Sequence, residues 1–412
     1  MLRKAKILIL LTSFLIFLSN ISLACICPYK DGFIIGYATW KWTSHGAEGK
    51  RAILFYNGSF YDITPRRLKI DPASSDQFFM NGIACGATKD KVIIASENGY
   101  LIYTSLTDYS LRWEYDNFGT EHPVKVVCSP KLCLIERYNY PKGSELPGYT
   151  YVVMFNGTSI NHISESSFIA ELLNVTNWKQ LAFDNKFFIK TTIPAYDPGG
   201  DKFYILLGGF VNTTYFSLIA SYNGNFHLEG FLPSPYNSSD EYAIWRDYYR
   251  NFACLNGECY ILMRGGKLVI WQNGKIKEIQ LGYNASRIFI LNGSVFIGRE
   301  GLSNLVGEWL ASYVSDIAYN QGKFLIQLSD GTLYLLENGK LKKLWIEIKD
   351  VKSETTPITS TLSEIKNLTT STTLETQKSY HINYDTVMLL GFILLITAML
   401  GLLIWKKREN NQ

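Results

Sequence analysis

Residues 251–279 read NFACLNGECYILMRGGKLVIWQNGKIKEI, and residues 316–344 read DIAYNQGKFLIQLSDGTLYLLENGKLKKL. The two align without a gap, with nine of 29 positions identical, including three turn glycines and the Asn-Gly-Lys at 273–275 and 338–340. Each passage alternates four short apolar runs with three tight-turn signals. Asn-Gly is the strongest short-range hairpin signal because both residues tolerate the positive φ that a two-residue turn needs. Strand and turn repeated in this way make a four-stranded antiparallel meander. Several such units along one chain build a β-propeller.

Fainter copies precede these two: IACGATKDKVIIASENGYLIYTSL from Ile83, VVCSPKLCLIERY from Val126 followed by TYVVMFNGTSINHI from Thr150, and FYILLGGF from Phe203 followed by SLIASYNGNFHLEG from Ser217. Asn57-Gly58, Asn98-Gly99, Asn156-Gly157 and Asn223-Gly224 punctuate the same stretch. No segment repeats its apolar residues at 3.6-residue spacing, and 27 Tyr with 23 Phe favour strands. Residues 25–347 are therefore expected to form an all-β propeller of about seven four-stranded blades, at roughly 46 residues per blade. A closed ring also removes the free sheet edges that separate hairpins would expose.

The two ends of the chain carry a different signal. Arg3, Lys4 and Lys6 precede the apolar run Ile7–Leu18, and Ser22-Leu23-Ala24 places small residues before a cut after Ala24, so residues 1–24 read as a signal peptide. Residues 386–405 contain no charge and are long enough to cross a bilayer as a helix. Lys406, Lys407 and Arg408 follow and favour the cytoplasmic side, which makes 406–412 an inside tail. The Thr/Ser-rich segment 348–384 between propeller and membrane has too little apolar surface to fold and reads as a stalk. The expected protein is a single-pass cell-membrane protein with its N-terminal domain extracellular. Eight Asn-x-Ser/Thr sequons, at Asn57, Asn156, Asn174, Asn212, Asn237, Asn284, Asn292 and Asn367, lie in the part expected outside. A net charge of only +4 gives no reason to expect a nucleic-acid partner.

The seven cysteines fit an oxidising compartment. Cys128 and Cys133 flank a turn between the first and second strands of one blade, and Cys254 and Cys259 do so in another. Residues facing each other across such a hairpin are close enough for a disulfide, so both pairs are expected to be bonded. Cys27 and Cys85 occupy the matching first-strand site of two other blades, and Cys85 has either Cys27 or Cys25 as a possible partner, with one thiol left over. No C-x-x-C occurs and the five His are scattered, so neither metal nor cofactor is expected. The loop around Asp197 and Asp201 has oxygens for Ca²⁺ but reads first as a polar turn.

Catalytic motifs are missing: there is no nucleophile elbow, zinc-protease helix or phosphate loop. Loop length points elsewhere. Turns after first and third strands fall on one end of a propeller and are short here. The connections at the other end are long: 40–50, 65–77, 137–149, 164–178 and 233–250. They bring aromatic rings next to charges and amides, as at Trp40 and Trp42, Trp113, Tyr138 and Tyr140, and Trp245, Arg246, Asp247 and Tyr248. Amphipathic rings of this kind suit sugar stacking or protein contact, and these nine are the candidate ligand-binding residues. The last strand ends on this same elaborated end.

Signal peptide, propeller, Thr-rich stalk, membrane helix and basic tail together resemble the archaeal single-pass surface proteins with β-propeller ectodomains. FYILLGGF followed by SYNGNF, with Gly208-Gly209 after an apolar strand, is similar to one kelch blade. The resemblance is one of architecture; the elaborated end points to a membrane-anchored recognition or adhesion protein that binds glycan or protein, and the missing catalytic motifs to a protein that is not an enzyme. A structural envelope subunit is the alternative. A carbohydrate-active hydrolase or lyase is the second, and would need a carboxylate pair such as Asp247 with Glu241 or Glu114.

Overall fold

The computed structural model describes residues 21–349, apart from short segments at 44–45, 49–50, 80–82, 114–118, 142–148, 164, 185, 213, 234–248, 264, 284, 286 and 347. Residues 353–412 separate as a second unit outside the described residues, and the expected membrane helix lies there. Among the described residues no helix is long and apolar enough to cross a membrane.

The strands form seven sheets in chain order. Their innermost strands are Ile21–Tyr29, Ile83–Ala87, Gly119–Cys128, Phe187–Asp197, Tyr249–Leu255, Ile288–Leu291 and Val314–Asn320. Five sheets are four-stranded antiparallel meanders, the first holds six strands and the sixth only two. The two repeat segments share strand boundaries and pairing register. Strands 249–255, 258–263, 267–272 and 275–280 recur at 314–320, 323–328, 333–337 and 340–344, each boundary 65 positions on to within one residue.

Apolar burial closes these sheets into a ring. In the second strand of the first sheet, Ile34 packs with Ile94 and Leu101 of the second sheet, while its neighbour Ile35 packs with Leu325 and Leu333 of the seventh. The same alternation continues around the molecule, through Ile94 and Ile93, Leu134 and Ile135, and Ile261 and Leu262. Successive side chains of a strand point to opposite faces, and here both faces are covered. That is why the second strands read as unbroken apolar runs rather than as alternating patterns. The ring is a β-propeller. It closes between chain ends: Ile26 N donates to Asp316 Oδ2 at 2.9 Å, Asn320 Nδ2 donates to Gly32 O at 2.6 Å, and Ile348–Lys349 pairs in parallel with Phe60 and Tyr61.

Among the described residues six short helices interrupt the expected all-β pattern, so the fold is mostly rather than wholly β: α1 (Arg66–Ile70), α2 (Pro72–Phe79), α3 (Glu165–Leu172), α4 (Trp178–Phe183), α5 (Gly298–Val306) and α6 (Glu308–Ala311). α5 and α6 follow the two strands of the sixth sheet where two more strands were expected. Leu302 and Val306 of α5 and Leu310 and Ala311 of α6 are buried in one core with Ile317 and Ile326 of the seventh sheet, so the two helices cover the face that the missing strands would have covered.

Every helix belongs to a connection that arrives at the start of an innermost strand. Turns after first and third strands gather at the opposite end and are short. Four two-residue turns there, Asn256-Gly257, Asn273-Gly274, Asn292-Gly293 and Asn338-Gly339, have positive φ at both positions. One end is therefore tight and the other carries the long connections, as the loop lengths implied. Asn98-Gly99 is an exception, a tight turn at the elaborated end.

Cys128 bonds Cys133 and Cys254 bonds Cys259, with Cα atoms 4.0 and 4.1 Å apart. Each bond closes a six-residue loop, which on the loop-entropy account stabilises by about 2 kcal/mol. Peptide mapping of the unreduced protein should recover both pairs. Replacing either pair by Ser should lower the unfolding free energy by about 2 kcal/mol in denaturant titration. Recovery of these four thiols free or cross-paired contradicts the register of both hairpins.

Candidate functional site

The innermost strands enclose a cavity of about 500 Å³ on the ring axis. Its lining includes Cys25, Lys125, Glu136, Asn251, Arg287 and Asp316. Five of these occupy one position of the repeat. Cys25, Asn251, Arg287 and Asp316 each stand four residues before the residue that enters a two-residue turn, namely Tyr29, Leu255, Leu291 and Asn320. Lys125 stands three residues before Cys128, as Asn251 stands three before Cys254. β-Bulges at Pro123/Lys125, Tyr249/Asn251 and Val314/Asp316 disrupt the ladder immediately before three of them. A bulge re-aims the following side chain, here towards the axis. Asn251, Arg287 and Asp316 lie at or near the start of their inner strands, whereas Cys25 and Lys125 lie in the middle and latter part of theirs.

Equivalent backbone positions thus present unlike chemistry. Lys125 lies opposite Glu136 across the first two strands of the third sheet, and its Nζ donates to the carbonyl of Phe252 in the fifth sheet at 2.7 Å. Burial lowers the Lys125 ammonium to about 8, opposed by the Glu136 charge. Burial raises Glu136 to about 7, opposed by Lys125. Burial likewise raises Asp316 to about 6, against the pull of the Ile26 amide and the Arg287 charge. Arg287 is exposed at the mouth, and Asn251 Oδ1 is buried without a hydrogen-bond donor. Polar donors, acceptors and both signs of charge therefore surround one small volume.

Cys25 and Cys27 share one face of the first inner strand with Cys85 of the next, and all three are buried free thiols. Burial raises Cys25, while a hydrogen bond with Cys85 lowers it. Burial also raises Cys85, to well above the ordinary thiol value. Among the described residues no group of His, Cys, Asp and Glu is arranged to hold a metal.

Of the sequence candidates, Trp40, Trp42 and Tyr140 belong to described strands, but their side chains are outside the described residues. Trp245, Arg246, Asp247 and Tyr248 are wholly outside, as are Glu241 and Glu114. Trp113 is half-buried at the end of the second sheet's outer strand, edge-on to Phe78 with ring centroids 6.2 Å apart and the Arg67 guanidinium over its ring. Tyr138 is half-buried within the third sheet, opposite His122 and Thr150. Asp197, considered for Ca²⁺, is instead a turn lock. Its carboxylate accepts from Asn256 N and Gly257 N of the next sheet at 2.7 Å and from Gly199 N at 3.0 Å. The sequons Asn57, Asn156, Asn174, Asn212 and Asn292 are all exposed.

Lys125, Glu136, Asn251, Arg287 and Asp316 were not singled out by motif. For Asn251 and Asp316 the available signal was a polar residue near the start of an inner strand. Asn251 and Asp316 are the first residues of the two aligned segments.

No family model matches this chain. An uncharacterized protein of Methanocaldococcus jannaschii is 26% identical over 85% of this chain and 88% of its own length. Among solved structures, the chain is similar to the β-propeller domain of the Trilobed protease from Pyrococcus furiosus (TM-score 0.30, 12% identity, 78% of this chain and 97% of that one). It is also similar to the Aleuria aurantia lectin (0.32, 8%, 79% and 95%) and to a Pyrococcus horikoshii acylaminoacyl peptidase (0.29, 11%, 79% and 52%). These likenesses are too loose to carry a function.

The raised carboxylates fix a pH dependence. Glu136 and Asp316, together with Glu165, which burial also raises to about 7, hold protons in the folded chain that the unfolded chain releases from about pH 4.5 upward. The folded state binds more protons across this window, so stability falls as pH rises from 4.5 to 7. Lys125 acts only above about 8, where stability recovers. Thermal melts should give a higher midpoint at pH 5.5 than at pH 7.5, and Glu165→Gln should shrink that gap. A midpoint that rises from 5.5 to 7.5 would contradict the protonation states assigned here.

Proposed function

We propose that this chain is a membrane-anchored extracellular recognition protein: a seven-bladed propeller, its sixth blade reduced to two strands, that binds glycan or protein at the elaborated end. The observation that supports it is the axial ring of equivalent positions occupied by Cys, Lys, Asn, Arg and Asp. A cavity of this size is in the usual range of small-ligand sites and holds a sugar unit or one peptide side chain. In this reading Trp40, Trp42 and Trp245 extend the contact surface from the neighbouring connections, and the ligand's terminal group enters the cavity. Asn251 Oδ1 accepts from a ligand donor and Arg287 pairs with a ligand acceptor.

A second reading draws on the two carboxylates. Glu136 and Asp316 both titrate near neutrality, a range suited to general acid and base work in a glycosidase or lyase.

The full-length protein in detergent, probed on glycan and peptide arrays, should capture a restricted ligand set. Arg287→Ala should weaken that capture at least tenfold with an unchanged melting temperature. Combined Ala replacement of Trp40, Trp42 and Trp245 should abolish it while lowering the midpoint by no more than a few degrees. Capture unaffected by either change removes the elaborated end from the reading. Turnover of a captured sugar, lost in Glu136→Gln and Asp316→Asn, favours the enzyme instead.

A further inference from the structure

Six large apolar side chains stand exposed at one end of the ring. Ile70 and Phe183 close α1 and α4, Trp309 lies in α6 with Tyr313 just beyond it, Phe231 ends the outer strand of the fourth sheet, and Trp345 follows the outer strand of the seventh. Their exposures run from 48% for Tyr313 to 83% for Phe183. All six belong to connections or strand ends at the elaborated end. Val124, 53% exposed, lines the axial cavity, and the less exposed Tyr109, Leu228 and Leu341 lie in outer strands. The tight end offers Lys30-Asp31, Lys89-Asp90 and a series of Asn-Gly turns. A one-sided concentration of exposed apolar rings marks an interaction surface.

Three observations identify what covers it. The residues are the interfacial kind, with cations alongside: Lys343 Nζ lies 4.7 Å from the Trp345 ring centre, Lys179 Nζ lies 5.7 Å from that of Trp178 in the helix that Phe183 ends, and Trp309 and Tyr313 have centroids 5.6 Å apart. Trp and Tyr prefer the bilayer–water boundary, where rings meet apolar chains and polar atoms meet water, and Lys reaches from the same depth to headgroups. Secondly, the six come from widely separated parts of the ring, which suits a broad partner and not one that fills a groove. Thirdly, the chain leaves the ring at this end. Ile348–Lys349 runs parallel to Phe60–Tyr61 towards it, and the uncharged stretch 386–405 follows.

We propose that the elaborated end of the propeller rests on the headgroup layer of a lipid bilayer, with these six side chains as its contacts. The proposal rests on the anchored reading above, and it places the axial cavity over the membrane surface. A ligand of that cavity is then a group presented at, or delivered along, the bilayer. Glycans at Asn174 or Asn212, both at this end, would hold the face away. Peptide mapping of the native protein should find those two sites unmodified, whatever the state of Asn57, Asn156 and Asn292 at the tight end. Full occupancy at Asn174 and Asn212 overturns the proposal.

The direct test reconstitutes the full chain in nanodiscs containing a headgroup-nitroxide phosphatidylcholine and follows tryptophan quenching. Trp405→Phe should remove the part due to the membrane segment. Trp309→Phe combined with Trp345→Phe should remove a further part of at least equal size. These positions are exposed, so the melting temperature should stay within a degree or two. If the double variant leaves quenching intact while Trp405→Phe lowers it, docking is wrong and the anchor stands. If only the double variant lowers it, the face docks without the anchor and the anchored reading falls. Quenching that neither change affects refutes both.

Discussion

The amide of Ile26 donates to a carboxylate 290 residues away, and the ring exists because that meeting occurs. Six of the seven inter-sheet cores join neighbours in sequence, but the seventh must bring Ile35 to Leu325 from opposite ends of the chain. Loop-closure entropy rises only slowly with length, by roughly 0.6 kcal/mol per doubling, so distance in sequence is a modest obstacle. What closure supplies is the second buried face of the first and seventh sheets. Without it, Ile35, Leu54, Leu325 and Leu335 would face water, and the outer strand at Phe60–Asp62 would lose its parallel partner. Asp316 adds a condition, for it must give up much of its hydration to reach the Ile26 amide, and its raised pKa is the sign of that loss.

The same carboxylate lines the axial cavity, so ring closure and site chemistry share an atom. Lys125 behaves similarly, reaching past the fourth sheet's inner strand to a carbonyl of the fifth. Groups near a propeller axis cannot avoid this double role, because seven backbones converge there and leave polar atoms that no sheet ladder satisfies. One buried polar atom of the cavity lining, Asn251 Oδ1, has no donor, and a ligand with a matching group can supply it.

Much of the fold was legible because turn chemistry is local. Asn273-Gly274 and Asn338-Gly339 specify their turns without help from distant contacts, and Cys254–Cys259 needs only its own hairpin. From these the repeat register, and with it the division into a tight and an elaborated end, follows directly. The helices at 298–311 were missed because the four-residue spacing at 302/306/310 fits one face of a strand as well as one face of a helix, and the expected repeat favoured strands. The axial residues were missed for a different reason. Nothing in the sequence near Lys125 distinguishes a charge facing solvent from one facing an enclosed axis, since that depends on how six other sheets surround it. Asp197 shows the same limit, since its partners Asn256 and Gly257 lie in the next sheet.

Asp197 also shows how the tight end holds its shape. A buried carboxylate accepting three backbone amides fixes the turn of one sheet against the turn of the next. At that end each loop is short, and the polar atoms it would leave bare are taken up by its neighbour. At the other end the connections are free to lengthen, because strands already paired and sheets already packed need nothing further from them. Insertions there can change the surface without disturbing a core. Apolar rings exposed on such insertions are thus not required by the fold, and their presence on one end only is a matter of what that end meets.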